Sequence, residues 1–223
     1  EDGIRDYKVT GVQTCALPIY CQGRLWWWNL NQGDLVDVIE LADQPTLIGA
    51  LTFSPDGETL AVGTTTGQIW LYPIKTAAPA DSLSQHASRV TALAFTARGG
   101  VLASADQQGQ IYLWEVASGV CQRHWPAHRG LIQELNFNAD GDRLISLGED
   151  QSVHLWDLPQ GDLAASFQAR PGASIRTTGF FPSGGDRPST ALAFAAGHDD
   201  YGLAIWAIAT GMLEWGEIGR AHV

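Results

Sequence analysis

The 223-residue chain carries 24 acidic against 13 basic side chains, a formal net charge of −11, and is 45% hydrophobic. So acidic a chain has no electrostatic footprint for a phosphate backbone or an anionic membrane, which excludes nucleic acid and membrane as expected partners. No run of eighteen apolar residues supplies a membrane span, and the length and apolar content suit a domain with an ample core.

The chain opens on "EDGIRDYKVTGVQTCALPI" (1–19) and closes on "EIGRAHV" (217–223). One permitted codon set for "IGRAHV" is ATC GGA AGA GCA CAC GTC. Its reverse complement, read one base in, translates as "TCALP", the run from Thr14 to Pro18. That DNA resembles a sequencing-library adapter, and "EDGIRD" (1–6) fits the adjoining primer. Residues 1–19 and 217–223 are therefore expected to be processing scars rather than native chain. The native segment is expected to be 20–216, cut at both ends. Setting aside Arg5, Lys8 and Arg220 takes Lys+Arg from 13 to 10, and setting aside Glu1, Asp2, Asp6 and Glu217 takes Asp+Glu from 24 to 20, so the balance stays acidic.

Along that segment one unit recurs. A partial copy at 20–42 ends a third strand on "LWWWNL" (25–30) and adds an outer strand, "DLVDVIEL" (34–41). A full copy at 43–84 contains "ALTFSPDGETLAVGTTTGQIWLY" (50–72). The copy at 85–126 contains "ALAFTARGGVLASADQQGQIYLW" (92–114), and that at 127–169 contains "ELNFNADGDRLISLGEDQSVHLW" (134–156). The last, 170–216, reads "TTGFFPSGGDRPSTALAFAAGHDDYGLAIW" (177–206), with an insertion at 184–190. Phe53, Phe95 and Phe137 fall 42 apart, as do Tyr72, Trp114 and Trp156.

Each copy reads as strands. "VTALAF" (90–95) alternates, "VLASA" (101–105) is short and small, and "QIYLWEV" (110–116) is β-branched and aromatic. Turn residues separate them, as in "SPDG", "NADG" and "ARGG". A more polar fourth strand follows, "GVCQRHW" (119–125) or "GDLAASF" (161–167), and polarity there discourages pairing with another molecule. Four short strands per roughly 42 residues predict an all-β fold of radial propeller blades. Four complete four-stranded blades and a partial first one make an incomplete ring, because seven blades would need about 290 residues at this period.

These units resemble the WD-repeat β-propeller family. Residues 128–157 carry the whole family pattern in His128, Ile132, Leu135, Phe137, Ser146, Asp150, Trp156 and Asp157. The resemblance implies a buried chain from indole to hydroxyl to imidazole to carboxylate, through Trp156, Ser146, His128 and Asp150. It implies the same for His86, Ser104 and Trp114, although Gln108 stands where the carboxylate is expected. Asp200 and Trp206 match in the last unit, where Pro171 and Ala196 replace the His and Ser. With Gln44, Val62, Thr66 and Tyr72, the first full unit keeps only the apolar frame.

Three motifs suggest chemistry and are better explained by packing. Ser146, His128 and Asp150 are residue types of a nucleophile triad, but the resemblance buries them under Trp156, and no G-x-S-x-G elbow occurs. Cys121, His124 and His128 have C-x₂-H-x₃-H spacing, yet odd spacing on a strand would put Cys121 and His124 on opposite faces. In "WWW" (26–28) core packing accounts for Trp27 and Trp28, leaving Trp26 outward. No catalytic residue, cofactor or metal is expected. The two cysteines of the native segment, Cys21 and Cys121, suggest free thiols, and a cytoplasmic location is expected.

The expected function is non-enzymatic: a protein–protein interaction scaffold within a larger chain. The family's narrow face maps to the loops around 84–88, 106–109, 126–131, 148–151 and 198–201. Gln107, Arg129, Glu149, His198 and Asp199 are the candidate partner contacts, and the acidic balance suggests a basic partner. One rival is the sensing arm of a signalling protein with a kinase or nucleotide-switch domain. Another is a propeller hydrolase or lyase, for which the innermost strands supply only Glu134 and Arg176.

Overall fold

The computed structural model describes residues 47–74, 81–168 and 174–180, together with the backbone of six further strands. The chain is a succession of antiparallel meanders. Strands β1 (Cys15–Ala16), β2 (Arg24–Asn29) and β3 (Asp34–Glu40) form a three-stranded sheet. Four four-stranded sheets follow. The first holds β4 (Ile48–Phe53), β5 (Thr59–Thr64), β6 (Gln68–Pro73) and β7 (Asp81–Ser84). The second holds β8 (Val90–Phe95), β9 (Val101–Asp106), β10 (Gln110–Glu115) and β11 (Val120–Pro126). The third holds β12 (Ile132–Phe137), β13 (Arg143–Gly148), β14 (Ser152–Asp157) and β15 (Asp162–Gln168). The fourth holds β16 (Ile175–Phe180), β17 (Leu192–Gly197), β18 (Leu203–Ala207) and β19 (Trp215–Ile218). These are propeller blades, and the ring is incomplete. No helix occurs among the described residues.

Two pairings fall in the terminal segments that the sequence sets apart. Cys15 and Ala16 pair with Trp28 and Trp27, and Glu217 and Ile218 pair with Ala204 and Leu203. The side chains of the "WWW" run and the 184–190 insertion lie outside the described residues.

Burial explains why the strands differ in composition. The second strand of each described sheet is buried on both faces in five of its six positions, in "TLAVGT", "VLASAD" and "RLISLG" alike. A strand covered on both sides must be apolar and small enough for two neighbours to approach, so the polar/apolar alternation is lost there. The fourth strands are mostly exposed, with Val120 at 57% and Leu163 at 52%. The cores lie between sheets rather than within them. Ala61, Ile69 and Val90 cluster with Leu102 and Trp114 across the first and second sheets. Ile111 and Leu113 join Ile132, Leu144 and Trp156 across the second and third, and Ile145 and Val153 meet Ile175 of the fourth. Each copy thus covers the apolar face of its neighbour.

Innermost strands are stitched sideways. Every described first strand has a register shift at its second residue, namely Gly49, Thr91, Gln133 and Arg176. At two of them the extra residue meets the next sheet. Thr91 Oγ1 donates to the Ile132 carbonyl at 2.6 Å, and a Cβ on Gly49 would overlap the Val90 carbonyl oxygen. Further along, the Glu134 carboxylate accepts from Thr178 N at 2.6 Å and from Thr177 Oγ1 at 3.1 Å, while Asn136 Nδ2 donates to the Thr178 carbonyl. Glu134, one of the two charged residues on the innermost strands, is therefore engaged in joining sheets.

Candidate functional site

The polar side chains that could carry chemistry converge at one end of the sheets, where the turn between second and third strands meets the loop before the first. Backbone bonds lock the two together: Thr65 N to Leu47 O, Gln107 N to Arg89 O, and Glu149 N to Leu131 O, all at 2.8–2.9 Å. Each turn also abuts the following unit. Ala127 N donates to Gly109 O at 2.8 Å, and a Cβ on Gly109, whose φ is +80°, would overlap the His128 carbonyl. The equivalent position in the third unit is Gln151, at φ 61°, and its Oε1 accepts from Ile175 N of the fourth unit at 2.8 Å.

In the third unit, Trp156 Nε1 donates to Ser146 Oγ at 2.8 Å, and Ser146 Oγ lies 2.7 Å from His128 Nε2. His128 Nδ1 faces Ser152 Oγ at 3.0 Å and Asp150 Oδ1 at 3.2 Å. An ionised carboxylate only accepts, so Nδ1 carries the proton and Ser146 donates its hydroxyl to Nε2. All members are satisfied with a neutral ring. Ser152, which donates to Asp150 Oδ1 at 2.6 Å, is a participant that sequence comparison missed, its one signal being a hydroxyl just past the turn.

The second unit corrects the expectation that its chain of polar groups lacks a carboxylate. Trp114 Nε1 donates to Ser104 Oγ at 2.8 Å, Ser104 Oγ is 2.6 Å from His86 Nε2, and His86 Nδ1 is 2.9 Å from Asp106 Oδ2. Asp106 supplies the acid from the end of β9, two residues before Gln108. Its other oxygen accepts the N–H groups of Gln108 and Gln110 at 2.9 and 3.0 Å. The third unit has the reverse arrangement, glycine at 148 and aspartate at 150. A Cβ at Gly148 would overlap both His128 Nδ1 and Asp150 Oδ1, so only one of the two positions can hold the acid. In the first unit Thr64, not Thr66, organises the turn: Thr64 Oγ1 accepts from Gln68 N and meets Thr66 Oγ1, each at 3.0 Å.

Electrostatics follow from enclosure. Burial alone would raise the Asp106 carboxyl, but the hydrogen bonds from His86 and from the Gln110 and Gln108 amides overcome it and hold its pKa below the usual carboxylate value. Asp150 is treated likewise by Ser152 and His128, after the same opposing burial effect. His128 is pushed down by burial first and then by its neighbour His154, against the opposing pull of Asp150.

Two Ser–His–Asp trios are thus assembled, and neither presents a nucleophile. Ser104 and Ser146 are each 0% exposed, and each hydroxyl oxygen already accepts an indole N–H. The Cys121/His124 spacing needs a second correction. β11 has an extra residue opposite the Leu113/Trp114 step, so Cys121 pairs with Trp114 and His124 with Tyr112. Trp114 and Tyr112 share a face, and so Cys121 and His124 share it too. His124 stacks on Tyr112 at 5.1 Å, Cys121 donates to the Arg123 carbonyl, and His128 is committed to Ser146. No cluster of three potential metal ligands occurs among the described residues.

Of the candidate partner contacts, Gln107, Arg129 and Glu149 are exposed at this end, with Arg89 and Gln108 beside them. His198, Asp199 and Asp200 lie outside the described residues, as do Gln44 and Pro171. Trp206 sits on β18, its backbone paired with Ala193 and Trp215, and Ala196 on β17 pairs with Thr177 and Leu203.

Residues 78–115 and 119–157 match the family model described as "WD40: WD domain, G-beta repeat". Each matched segment runs from the outer strand of one sheet through the third strand of the next, so the sequence repeat straddles two blades. No curated protein matches the chain. Among solved structures, one titled "Crystal Structure of Mitotic Checkpoint Complex" superposes with a TM-score of 0.76 at 22% identity. The match covers 89% of this chain and 60% of that one, so this chain spans less than two thirds of its length. At that identity the likeness carries the fold alone.

Proposed function

We propose that this run of WD repeats is a non-catalytic protein–protein interaction scaffold that docks partners on the end built by the turns at 64–67, 106–109 and 148–151. The observation that carries the reading is the division of labour there. The groups able to do chemistry are sealed inside, while a rigid, mixed-charge surface of Arg89, Gln107, Gln108, Arg129 and Glu149 is held out by the same turns. Loops displayed by a rigid scaffold are well suited to recognition. Leu47, 54% exposed next to this surface, adds an apolar contact.

Among the described residues, acidity sits mainly at the other end. There Asp56, Glu58, Glu115, Asp140, Asp142, Asp157 and Asp162 are exposed, against Arg98 and the half-buried Arg143, which pairs with Asp157 at 3.2 Å. A basic partner is thus drawn in by the field of one end and recognised at the other, and its association rate falls with salt. The test is capture of binding proteins on the immobilised chain. The combination Gln107→Ala, Arg129→Glu and Glu149→Lys is expected to lose partners that the wild type retains, with the thermal midpoint unchanged. Asp140→Lys with Asp142→Lys is expected to slow association. Identical capture by wild type and the triple variant would contradict the assignment of the docking end.

A further inference from the structure

The third unit holds one feature that its neighbours lack. The imidazoles of His128 and His154 stack face to face, with centroids 4.3 Å apart and planes 11° apart. The second unit has Tyr112 in the place of His154, tilted against His86 at 4.1 Å and 58°. In the first unit the equivalent residue is Trp70. Among the described residues, the third unit alone places two imidazoles face to face.

We propose that this stacked pair is a pH-sensitive switch whose protonation in mildly acidic solution loosens the turn at 148–152 and the surface it supports. The accounting of protons requires it. Neutral His128 has a donor on one nitrogen and an acceptor on the other, as derived above. Adding a proton at Nε2 would leave Ser146 Oγ facing two N–H donors, with its own hydrogen displaced from its acceptor. His154 Nδ1 is buried and has no hydrogen-bond partner. The Ala127 backbone bonds to the His154 ring and favours its proton, but with that bond made by the other nitrogen a second proton at Nδ1 would be enclosed without an acceptor, next to the His128 ring.

Asp150 is the charged group that acts on both rings, and it favours protonation. The residues paired with His154 from either side are Ser146 and Ser166, which carry no charge. Trp156 meets His154 edge-on at 5.4 Å, and Trp125 of the second unit packs on Trp156. Among the described residues of the fourth unit, the amide of Ile175 is held by Gln151. Toward solvent stand Arg129, whose N–H donates to Asp150 Oδ2 at 3.4 Å, and Glu149, packed against Gly130. Burial outweighs the Ala127 backbone bond and Asp150 at His154, and burial with the neighbouring His154 outweighs Asp150 at His128, so both rings are held below the ordinary histidine value.

The sign follows. A group with a lowered folded pKa binds more protons when unfolded, so stability is lost as pH falls below about 6.5 toward the folded values. Relief comes by parting the rings. Because His128 Nδ1 anchors Asp150 and Ser152, that parting frees the turn carrying Glu149 and Gln151. The consequence for docking rests on the reading of this end as the interaction surface; the switch itself does not.

The experiment is hydrogen exchange of the full chain at pH 7.5 and 5.5, corrected for intrinsic exchange rates. Peptides covering 143–157 are expected to lose protection, up to about tenfold for one histidine kept neutral a pH unit below its ordinary value, while those covering 101–115 keep theirs. His154→Tyr, which installs the residue of the second unit, is expected to diminish the loss. Equal losses in both units, or an undiminished loss in His154→Tyr, would overturn the switch. Imidazole titration of the wild type by NMR supplies a second reading: midpoints for His128 and His154 at or above 6.5 would also overturn it. No partner enters either measurement, so the switch and the docking surface fail separately.

Discussion

A hydroxyl that links an indole to an imidazole inside a blade has two clients, and its removal strands both. Ser104 and Ser146 are such hydroxyls. Ser104→Ala and Ser146→Ala are each expected to cost about 1–3 kcal/mol, the penalty for leaving buried polar groups unpaired, read as a lower urea midpoint at unchanged slope. Asp106 makes a prediction about acid. Its folded pKa is depressed, so its contribution is present above the ordinary carboxylate value of about 4 and lost as pH falls through the folded value. Asp106→Asn should therefore flatten the acid limb of a stability–pH curve. Asp106→Gly alone should destabilise, and adding Gln108→Asp should restore much of the loss by recreating the Gly148/Asp150 arrangement. Fixed-column comparison finds Gln108 and passes over Asp106, because spacing does not reveal that either residue can reach the same ring nitrogen. The third unit's trio was legible since all its residues stand in their expected columns, whereas Ser152 and the His154 stack were not, being contacts made in space.

Strand spans were the most legible part of the elements. The outer strand read as 119–125 is β11, Val120–Pro126, and "VTALAF" is β8 without change. Periodicity and turn residues mark these ends directly. The bulges were invisible, since nothing in "GVCQRHW" distinguishes a strand with one residue extra from a regular one. That is why strand spacing alone puts Cys121 and His124 on opposite faces. Recurrence of the shift beside Trp28, Trp114 and Trp156 makes it a property of the element rather than of one sequence. The bulge on the inner strand gives a sharper prediction. Gly49→Ala forces a methyl group into the Val90 carbonyl, and the expected cost is about 1–3 kcal/mol or more by overpacking. Thr91→Val keeps the shape and removes the donor to Ile132, so about 1 kcal/mol should be lost without disturbing the second sheet. Thermal melts of the two variants check both values.

At the scale of the molecule, the described residues place apolar cores between successive four-stranded sheets, polar networks at one end and acidic charge at the other. The succession of sheets was legible from the 42-residue spacing alone. The separation of charge was not, because net composition says nothing of which turns carry it. Serine, histidine and aspartate stand in triad order twice, so the reading of this molecule as framework and surface depends on those serines being inaccessible. Treating the native full chain with a fluorophosphonate probe, followed by peptide mapping, tests this most directly. Neither Ser104 nor Ser146 should be labelled while the protein is folded. Labelling of either one, abolished by its alanine variant, would contradict the account.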